Sequence, residues 1–316
     1  MSDNSSSTPS ELGEVISTPG GDVFVQNHAS PTPQASPSER KQARRENWRL
    51  IRRRPAFIIG VAIVLFWVIC ALFGSRFAPH TPLDFRVKPH LSPRGKYWFG
   101  TDKSGRDVFS RVIAGASDVL KIGPPAAILG VLFGTTLGLF MGYLGGWFDN
   151  IASRIVEAFL ALPVVLIALL TVVTLGSSSW VVLGVVATLF TPIVARTVRA
   201  AVLAERDLDY VTSAKLRGES KMFIMFREIL PNVTGPIVVE LTVRIGYAVF
   251  TVATLSFIGA GPPPPSPDWG AQVSEGFRVI GAGIWWTTVF PAAAIASLVI
   301  AVNLVADTVQ SILESQ

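Results

Sequence analysis

The sequence predicts an all-α, polytopic membrane protein with six transmembrane helices. Of its 316 residues, 50% are hydrophobic and only 16% are charged, whereas about a quarter of the residues of a soluble domain are charged. Several apolar runs reach about 18–22 residues, which is long enough for a helix to cross a bilayer. The only cysteine, Cys70, lies within one of these runs, so the chain has no internal disulfide framework and no paired-cysteine metal site.

The N-terminal part of the chain changes character near residue 40. Residues 1–38 are rich in Ser, Pro, Thr and Asn and contain no Lys or Arg, so we expect a disordered cytoplasmic tail over 1–39. A basic run then precedes the first apolar stretch: Arg40, Lys41, Arg44, Arg45, Arg49, Arg52, Arg53 and Arg54. Such a run before a span places the N-terminus in the cytoplasm. A nucleic-acid-binding arm is the alternative, and the adjoining span disfavours it.

The first span is predicted over 56–73, and a long extracytoplasmic segment follows to about residue 121. Within that segment, residues 100–107 read GTDKSGRD and have the two-glycine frame of a phosphate loop. A phosphate loop requires Lys-Ser or Lys-Thr where this chain has Arg106 and Asp107, and no strand precedes it. We therefore predict a capped turn that leads into an interfacial helix over 107–120.

The second span, over 122–143, carries small residues at every fourth position. These residues are Ala126, Gly130, Gly134, Gly138 and Gly142. The spacing places them on one helix face, where a second helix backbone can approach closely. Glycine is also common in membrane helices in general, and that is the alternative reading of the pattern.

Four further spans complete the prediction, over 155–175, 180–198, 233–258 and 287–305. Pro163 and Pro192 lie inside the third and fourth spans, where neighbouring helices can satisfy the freed carbonyls. Residues 145–150 form a cytoplasmic turn, and the Pro- and Gly-rich stretch 259–270 lies outside the membrane. Trp269, Trp285 and Trp286 would form an aromatic belt at that interface. Six spans place both termini in the cytoplasm.

Residues 207–231, between the fourth and fifth spans, are charged and amphipathic. Gly218 is predicted to separate a short helix that starts near Asp207 from a second helix that Ser220 caps and Pro231 ends. In the second helix, α-helical spacing predicts one apolar stripe, with Ile224 on the polar side: Met222, Phe223, Met225, Phe226, Ile229 and Leu230. The stripe either rests on the protein's own core or on the membrane surface, or docks into a groove on a partner.

Glu240 and Arg244 are charged residues inside the fifth span. They are four residues apart and so lie on one helix face, where we expect them to pair. The pair is either purely structural or part of the polar lining of a translocation pathway. Asn303 and Asp307, near the inner end of the sixth span, raise the same question.

The sequence contains no Ser/His/Asp set, no metal-ligand spacing and no intact nucleotide loop. A polytopic protein of this kind moves, senses or scaffolds something. The amphipathic cytoplasmic segment favours transport driven by a separate energy-supplying subunit. One alternative is a secondary transporter or channel that acts alone, which would require inverted repeats, broken midplane helices or a carboxylate relay. The other is a scaffold or sensor that transports nothing.

Three sequence blocks carry a family resemblance. They are YWFGTDKSGRDVFSRVIAGA at 97–116, DYVTSAKLRGESKMFIMFREILPN at 209–232 and LSFIGAGPPPPSPDWG at 255–270. Together they resemble the second, C-type permease subunit of bacterial dipeptide and oligopeptide ABC importers, over roughly residues 45–312.

The resemblance implies a type-1 ABC importer permease fold in a bacterial inner membrane. A five-helix core over 122–311, with a cytoplasmic coupling loop at 207–231, follows a region 40–121 that contains the first span. The implied partners are a homologous second permease, two ABC ATPase subunits and an extracytoplasmic solute-binding protein, with no nucleic acid. ATP and Mg would be bound by the ATPases, and this chain would bind no cofactor.

The same resemblance assigns residues to ATPase coupling. Thr212, Ser213 and Ala214 occupy the family's Glu-Ala-Ala site, where Thr212 replaces the usual Glu, so Asp209 or Glu219 would supply nearby charge. The full set of implied coupling residues is Asp209, Tyr210, Thr212, Ser213, Ala214, Lys215, Gly218, Phe223, Phe226, Leu230 and Pro231.

Overall fold

The computed structural model describes residues 54–313, apart from 83, 85, 86 and 264. The predictions for residues 1–53, including the tail at 1–39 and most of the basic run, lie outside this range. The described helices are α1 (Pro55–Phe77), α2 (Val108–Leu144), α3 (Gly146–Ala161), α4 (Val164–Leu175), α5 (Ser179–Glu205), α6 (Asp209–Leu216), α7 (Lys221–Phe223), a π-helix (Ile224–Ile229), α8 (Leu230–Asn232), α9 (Thr234–Phe257), α10 (Trp269–Phe277), a 3-10 turn (Ile280–Ala282) and α11 (Trp286–Leu313).

Five of these helices are long and apolar enough to cross a membrane: α1, α2, α5, α9 and α11. Helices α3 and α4 supply a sixth span if they count together, but they are bent by 89° at the break between them. Five of the six predicted spans are therefore present as single helices, and the third, predicted as one helix over 155–175, is instead a bent pair of helices. The break falls where Leu162 adopts an extended backbone before Pro163, because a residue that precedes proline is disfavoured in the helical region.

Helix α2 is continuous, so the predicted division into an interfacial helix at 107–120 and a span at 122–143 is wrong. Asp107 caps its N-terminus, as predicted, by accepting a hydrogen bond from the backbone N–H of Ser110 at 3.1 Å. The charges that lower hydropathy in the first turns do not interrupt the helix, because Arg111 is buried and paired with Asp102. Pro124 and Pro125 also lie within it, where neighbouring helices can satisfy the carbonyls that proline leaves unpaired.

The glycine face of α2 packs closely against α5, as the four-residue spacing predicts. Gly130, Gly134, Gly138 and Gly142 are all buried. A methyl group added to Gly134 would lie 2.6 Å from Cβ of Val194, and one added to Gly138 would lie 2.6 Å from the carbonyl oxygen of Ala195. The backbones approach too closely for any larger residue at these positions.

The described residues of 78–107 and of 258–285 lie together at one end of the bundle, called here the loop end, where two indoles are buried. Trp269 is fully buried and donates from Nε1 to the carbonyl oxygen of Val112 at 2.7 Å. Trp286 is also buried and donates to the carbonyl oxygen of Thr101 at 3.3 Å. The aromatic-belt prediction is therefore wrong for both and fits only Trp285, which is half exposed. An indole is readily buried once its N–H has an acceptor.

Candidate coupling site and membrane charge pair

The opposite end of the bundle, called here the short-helix end, carries residues 206–233. Helix α6 buries Val211 and Ala214 in an apolar cluster with residues of α5, the π-helix and the turn before α9. Gly218 then adopts a φ of +77°, and the backbone N–H of Glu219 reaches the carbonyl oxygen of Ala214 at 3.2 Å. This is the left-handed turn that commonly ends a helix at glycine, and it confirms that Gly218 separates two helices.

A π-helix gives the second half of this segment a face different from the predicted one. Hydrogen bonds in a π-helix join residues five apart, so Ile224 and Ile229 come to the same face, and both are buried. The predicted α-helical stripe is therefore partly wrong. Ile224, expected on the polar side, lies in the core, whereas Phe223 and Phe226 are each 40% exposed.

Two local predictions have opposite outcomes in this segment. Ser220 caps α7, as predicted, by accepting a hydrogen bond from the backbone N–H of Phe223 at 3.2 Å. Pro231, in contrast, does not end the segment, because it lies inside the helical turn α8. Proline is well tolerated in the first turn of a helix, where its missing N–H would have no partner.

An exposed apolar surface remains at the short-helix end, and we call it the coupling face. It consists of Leu208, Leu216, Met222, Phe223 and Phe226, with exposed fractions between 40% and 84%. Leu208 and Leu216 were not predicted to belong to this face, although Leu208 precedes α6, Leu216 ends it, and each lies between two charged residues. Several large apolar side chains exposed along one short, charged segment are typical of an interaction site.

The residues implied for coupling divide into exposed and internal ones. The exposed ones are Asp209, Thr212, Ser213, Lys215, Gly218, Phe223, Phe226 and Pro231. Ala214 is buried, and Tyr210 and Leu230 are partly buried. The hydroxyl of Tyr210 donates to Oε2 of Glu205 at 2.7 Å, and burial together with this carboxylate raises the pKa of Tyr210 to about 12. Tyr210 therefore holds α6 against the end of α5.

A second interaction at this end was not predicted. Arg199 donates from Nε and Nη2 to the two carboxylate oxygens of Asp149 at 2.5 and 2.6 Å, a bidentate geometry that is among the strongest ion pairs in proteins. It joins the first turn of α3 to α5. Nothing in the sequence indicated that Arg199 has a partner fifty residues away.

Inside the bundle, Arg244 and Glu240 form the predicted ion pair. Nε of Arg244 donates to Oε2 of Glu240 at 2.8 Å, and both side chains are largely buried. The hydroxyl of Thr197, on α5, donates to Oε1 of Glu240 at 2.8 Å. The guanidinium also lies 5.8 Å from the ring of Phe190 and 5.4 Å from that of Tyr247. The pair therefore joins α9 to α5, a link that the sequence alone did not indicate.

Within the part of the chain that the structure describes, no group of three or more His, Cys, Asp or Glu side chains could hold a metal ion. The features that combine here are long apolar helices, a close glycine contact and a helical segment that presents an apolar face at one end. They define a multi-pass helical membrane protein with an exposed apolar face at one end.

Two family models match the chain. Residues 134–316 match the binding-protein-dependent transport system inner membrane component family. Residues 43–93 match the N-terminal transmembrane domain of oligopeptide transport permease C. The chain belongs to the family of binding-protein-dependent inner membrane transport components.

Similar proteins include several peptide transport permeases. The chain is 33% identical over 290 residues to the dipeptide transport system permease protein DppC of Alkalihalophilus pseudofirmus, covering 90% of this chain and 95% of that protein. It is 36% identical over 286 residues to the glutathione transport system permease protein GsiD of Escherichia coli, covering 89% and 93%. A putative peptide transport system permease protein of Brucella suis is 35% identical over 287 residues, covering 90% and 96%.

The fold is also similar to solved structures of inward-facing conformations of the MetNI methionine ABC transporter. One of them aligns with a TM-score of 0.52 at 20% identity, covering 65% of this chain and 95% of the matched chain. A second crystal form gives a TM-score of 0.51. The expected type-1 ABC importer permease fold is thus confirmed.

Proposed function

We propose that this chain is one of two permease subunits of an ATP-driven importer that takes up dipeptides or oligopeptides delivered by a solute-binding protein. Family membership supports the transport role, and the names of the similar permeases support a peptide-like solute. The chain itself binds no cofactor in this proposal. Two ABC ATPase subunits bind ATP and Mg, and a homologous permease completes the pathway.

The coupling face is the observation that carries the ATPase part of the proposal. Phe223 and Phe226 are exposed on a segment whose opposite face is fixed in the core by Ile224 and Ile229. Arg217 further ties the two halves of the segment by pairing with Glu219 at 3.5 Å and Glu228 at 3.2 Å. A segment that is held rigidly on one side and apolar on the other can transmit a push from a docked partner to the bundle.

The short-helix end is cytoplasmic in this proposal, and so are both termini. The basic run at 40–54 precedes α1 and supports a cytoplasmic start by the positive-inside rule. With an even number of spans the C-terminus returns to the same side. The loop end then faces the solute-binding protein.

Glu240 and Arg244 belong to the translocation pathway in this proposal. Charged side chains inside a membrane bundle usually face its interior or a water-filled cavity. Closing of the ATPases would rock the helices as packed bodies and open the pathway outward.

The decisive experiment places charge on the coupling face. The double variant Phe223→Asp/Phe226→Asp should abolish co-purification of the ATPase subunits and ATP-driven uptake. The control Phe223→Leu/Phe226→Leu, which keeps the face apolar, should retain both. ATPase association and uptake that survive the two aspartates would refute the docking role. Uptake by the purified chain without any ATPase would instead establish a transporter that acts alone.

A further inference from the structure

A cavity of about 330 Å³ opens at the loop end and has no role in the proposed function so far. It lies between the turn at 100–107, the loop that follows α9 and one face of α10. Its charged and hydroxyl lining includes Lys103, Arg106, Arg111, Ser274, Glu275 and Arg278; we call it the loop-end cavity. Its volume falls within the range of small-molecule sites, about 300–1,000 Å³.

The loop-end cavity is lined by four cationic side chains and one carboxylate. Glu275 is shared by three of the cations, with Lys103 at 3.5 Å, Arg106 at 3.0 Å and Arg111 at 3.4 Å. A single carboxylate cannot neutralise three cations, so the lining has an excess of positive charge.

Three further carboxylates lie behind the lining, so the excess of cations is confined to the side chains that face the cavity. Asp102 pairs with both Arg106, at 2.6 Å, and Arg111. Asp118 accepts a hydrogen bond from the hydroxyl of Ser266. Asp268, fully buried, accepts a hydrogen bond from the backbone N–H of Ala271 in the same wall at 2.9 Å. The four cations and four carboxylates are therefore equal in number, but Arg278 has no carboxylate within 4.0 Å among the described residues.

Arg111 adds a second observation that points to an absent anion. Its side chain is 2% exposed, and its Nε has no hydrogen-bond partner in the described part of the chain. A buried donor without a partner is destabilising by about 1–3 kcal/mol, more for a charged group. Unsatisfied groups of this kind are rare in native proteins, and a bound water or ion is one of the arrangements that satisfies them.

We propose that the loop-end cavity binds the carboxylate of the transported solute as the solute enters the permease, an inference that rests on the proposed import function. Arg278, exposed at the end of α10, makes the first contact. Arg111 lies deeper, paired with Asp102 and Glu275, and adds its positive charge to the wall. Guanidinium groups are the preferred partners of carboxylates because of their fixed fork of donors. The site would select solutes with a free carboxylate, such as peptides with an unmodified C-terminus.

The chain suits a labelling test because it contains one cysteine, Cys70, which is buried. In a Cys70→Ala background, Ser274→Cys places a single thiol on the cavity wall, and Ser92→Cys places one on the exposed surface of the same end. Each variant is assembled with its partner subunits in nanodiscs. The rate of modification of this chain by anionic ethylsulfonate methanethiosulfonate is then measured with acetate, dialanine or dialanine amide present.

Dialanine and acetate should slow modification at Ser274→Cys but not at Ser92→Cys, and dialanine amide should slow neither. Adding Arg278→Gln should remove the protection and reduce the rate for the anionic reagent by about three- to tenfold, as expected for one charge lost at close range. Arg278→Lys should retain both effects. Arg94→Gln, which removes an exposed arginine outside the cavity, should have neither effect.

Equal protection by the amide would overturn the proposal, and so would the absence of protection by any carboxylate up to about 100 mM, a hundred times a millimolar Kd. Protection by the solute-binding protein alone would assign the cavity to protein docking and would also overturn it. Failure of the import function is distinguishable, because it would abolish ATP-driven uptake of peptides while leaving the protection by acetate intact.

Discussion

Nε of Arg244 lies 2.8 Å from Oε2 of Glu240, one helical turn earlier on α9, and the hydroxyl of Thr197 on α5 binds the other carboxylate oxygen. Each charge therefore has a partner inside the bundle. Removing one member leaves the other buried and uncompensated, which is far more destabilising than removing both.

Single and double neutral replacements at this pair should differ in stability. Glu240→Gln alone should destabilise the protein by about 3–5 kcal/mol, and Glu240→Gln/Arg244→Gln should recover most of that loss. The thermal unfolding midpoint of the purified complex measures the difference. In the double variant, which should be more stable than Glu240→Gln alone, uptake should fall at least tenfold relative to the natural protein. Unaltered uptake in that variant would reduce the pair to a structural role.

The contact between α2 and α5 should not accept a methyl group. In Gly134→Ala the new Cβ would meet Cβ of Val194 at 2.6 Å and the carbonyl oxygen of Thr191 at 2.8 Å, so we expect a loss of about 1–3 kcal/mol from overpacking. Gly184→Ala on α5 is the matched control, since nothing lies within 4 Å of its added Cβ. The two variants are compared by thermal unfolding, and equal midpoints would contradict the close contact.

The sequence allowed prediction of the parts of the fold that depend on local pattern. Five long spans follow from hydropathy. The close contact of α2 with another helix follows from the four-residue spacing of the glycines between Gly130 and Gly142. The cap at Ser220 and the turn at Gly218 follow from the conformational preferences of those residue types. The pairing of Glu240 with Arg244 follows from their spacing along one helix.

The features that could not be predicted depend on residues that are distant in the chain or on departures from α-helical geometry. Ile224 is buried because the π-helix changes which residues share a face, and no residue in that stretch signals a π-helix. Trp269 is buried because Val112, 157 residues earlier, accepts its N–H. Glu275 meets Arg106 and Arg111 only after α10 has packed on α2, so the loop-end cavity was not visible in the sequence.

The stability of the loop end should depend on pH through Asp268. Burial, the largest effect, raises the pKa of Asp268 to about 6. An acid whose pKa is raised on folding contributes stability that is fully present below its unfolded pKa, near 4, and is lost as the pH rises through 6. The loss between pH 4 and pH 6 should reach about 3 kcal/mol.

Asp268→Asn should remove this dependence while keeping an oxygen that can accept the backbone N–H of Ala271, the bond that caps α10. Unfolding midpoints between pH 4 and pH 7 measure the slope, with Asp307→Asn as a control at an exposed carboxylate. The pKa of Asp102 is shifted in the opposite direction. Burial raises this pKa, but Arg111, Arg106 and backbone donors outweigh burial and lower the pKa overall. Its stabilisation is lost only as the pH falls below 4, outside this window. A slope that survives in Asp268→Asn would contradict the assignment.

The turn between α6 and α7 should control transmission through the coupling face. Gly218 has a φ of +77° and nothing lies within 4 Å of an added Cβ, so Gly218→Ala introduces backbone strain and no clash. Strain of this kind is about 1–2 kcal/mol for a residue with a side chain, and Asn tolerates the conformation better than Ala. We therefore expect Gly218→Ala to loosen α6, which should speed amide exchange there and weaken the coupling of ATP hydrolysis to uptake. For both measurements, Gly218→Asn should give values between those of Gly218→Ala and the natural protein. Gly235→Ala, at a helical position with equally open surroundings, should change neither. If Gly218→Ala leaves exchange and coupling unchanged, the push from a docked partner does not pass through the orientation of α6 relative to the π-helix.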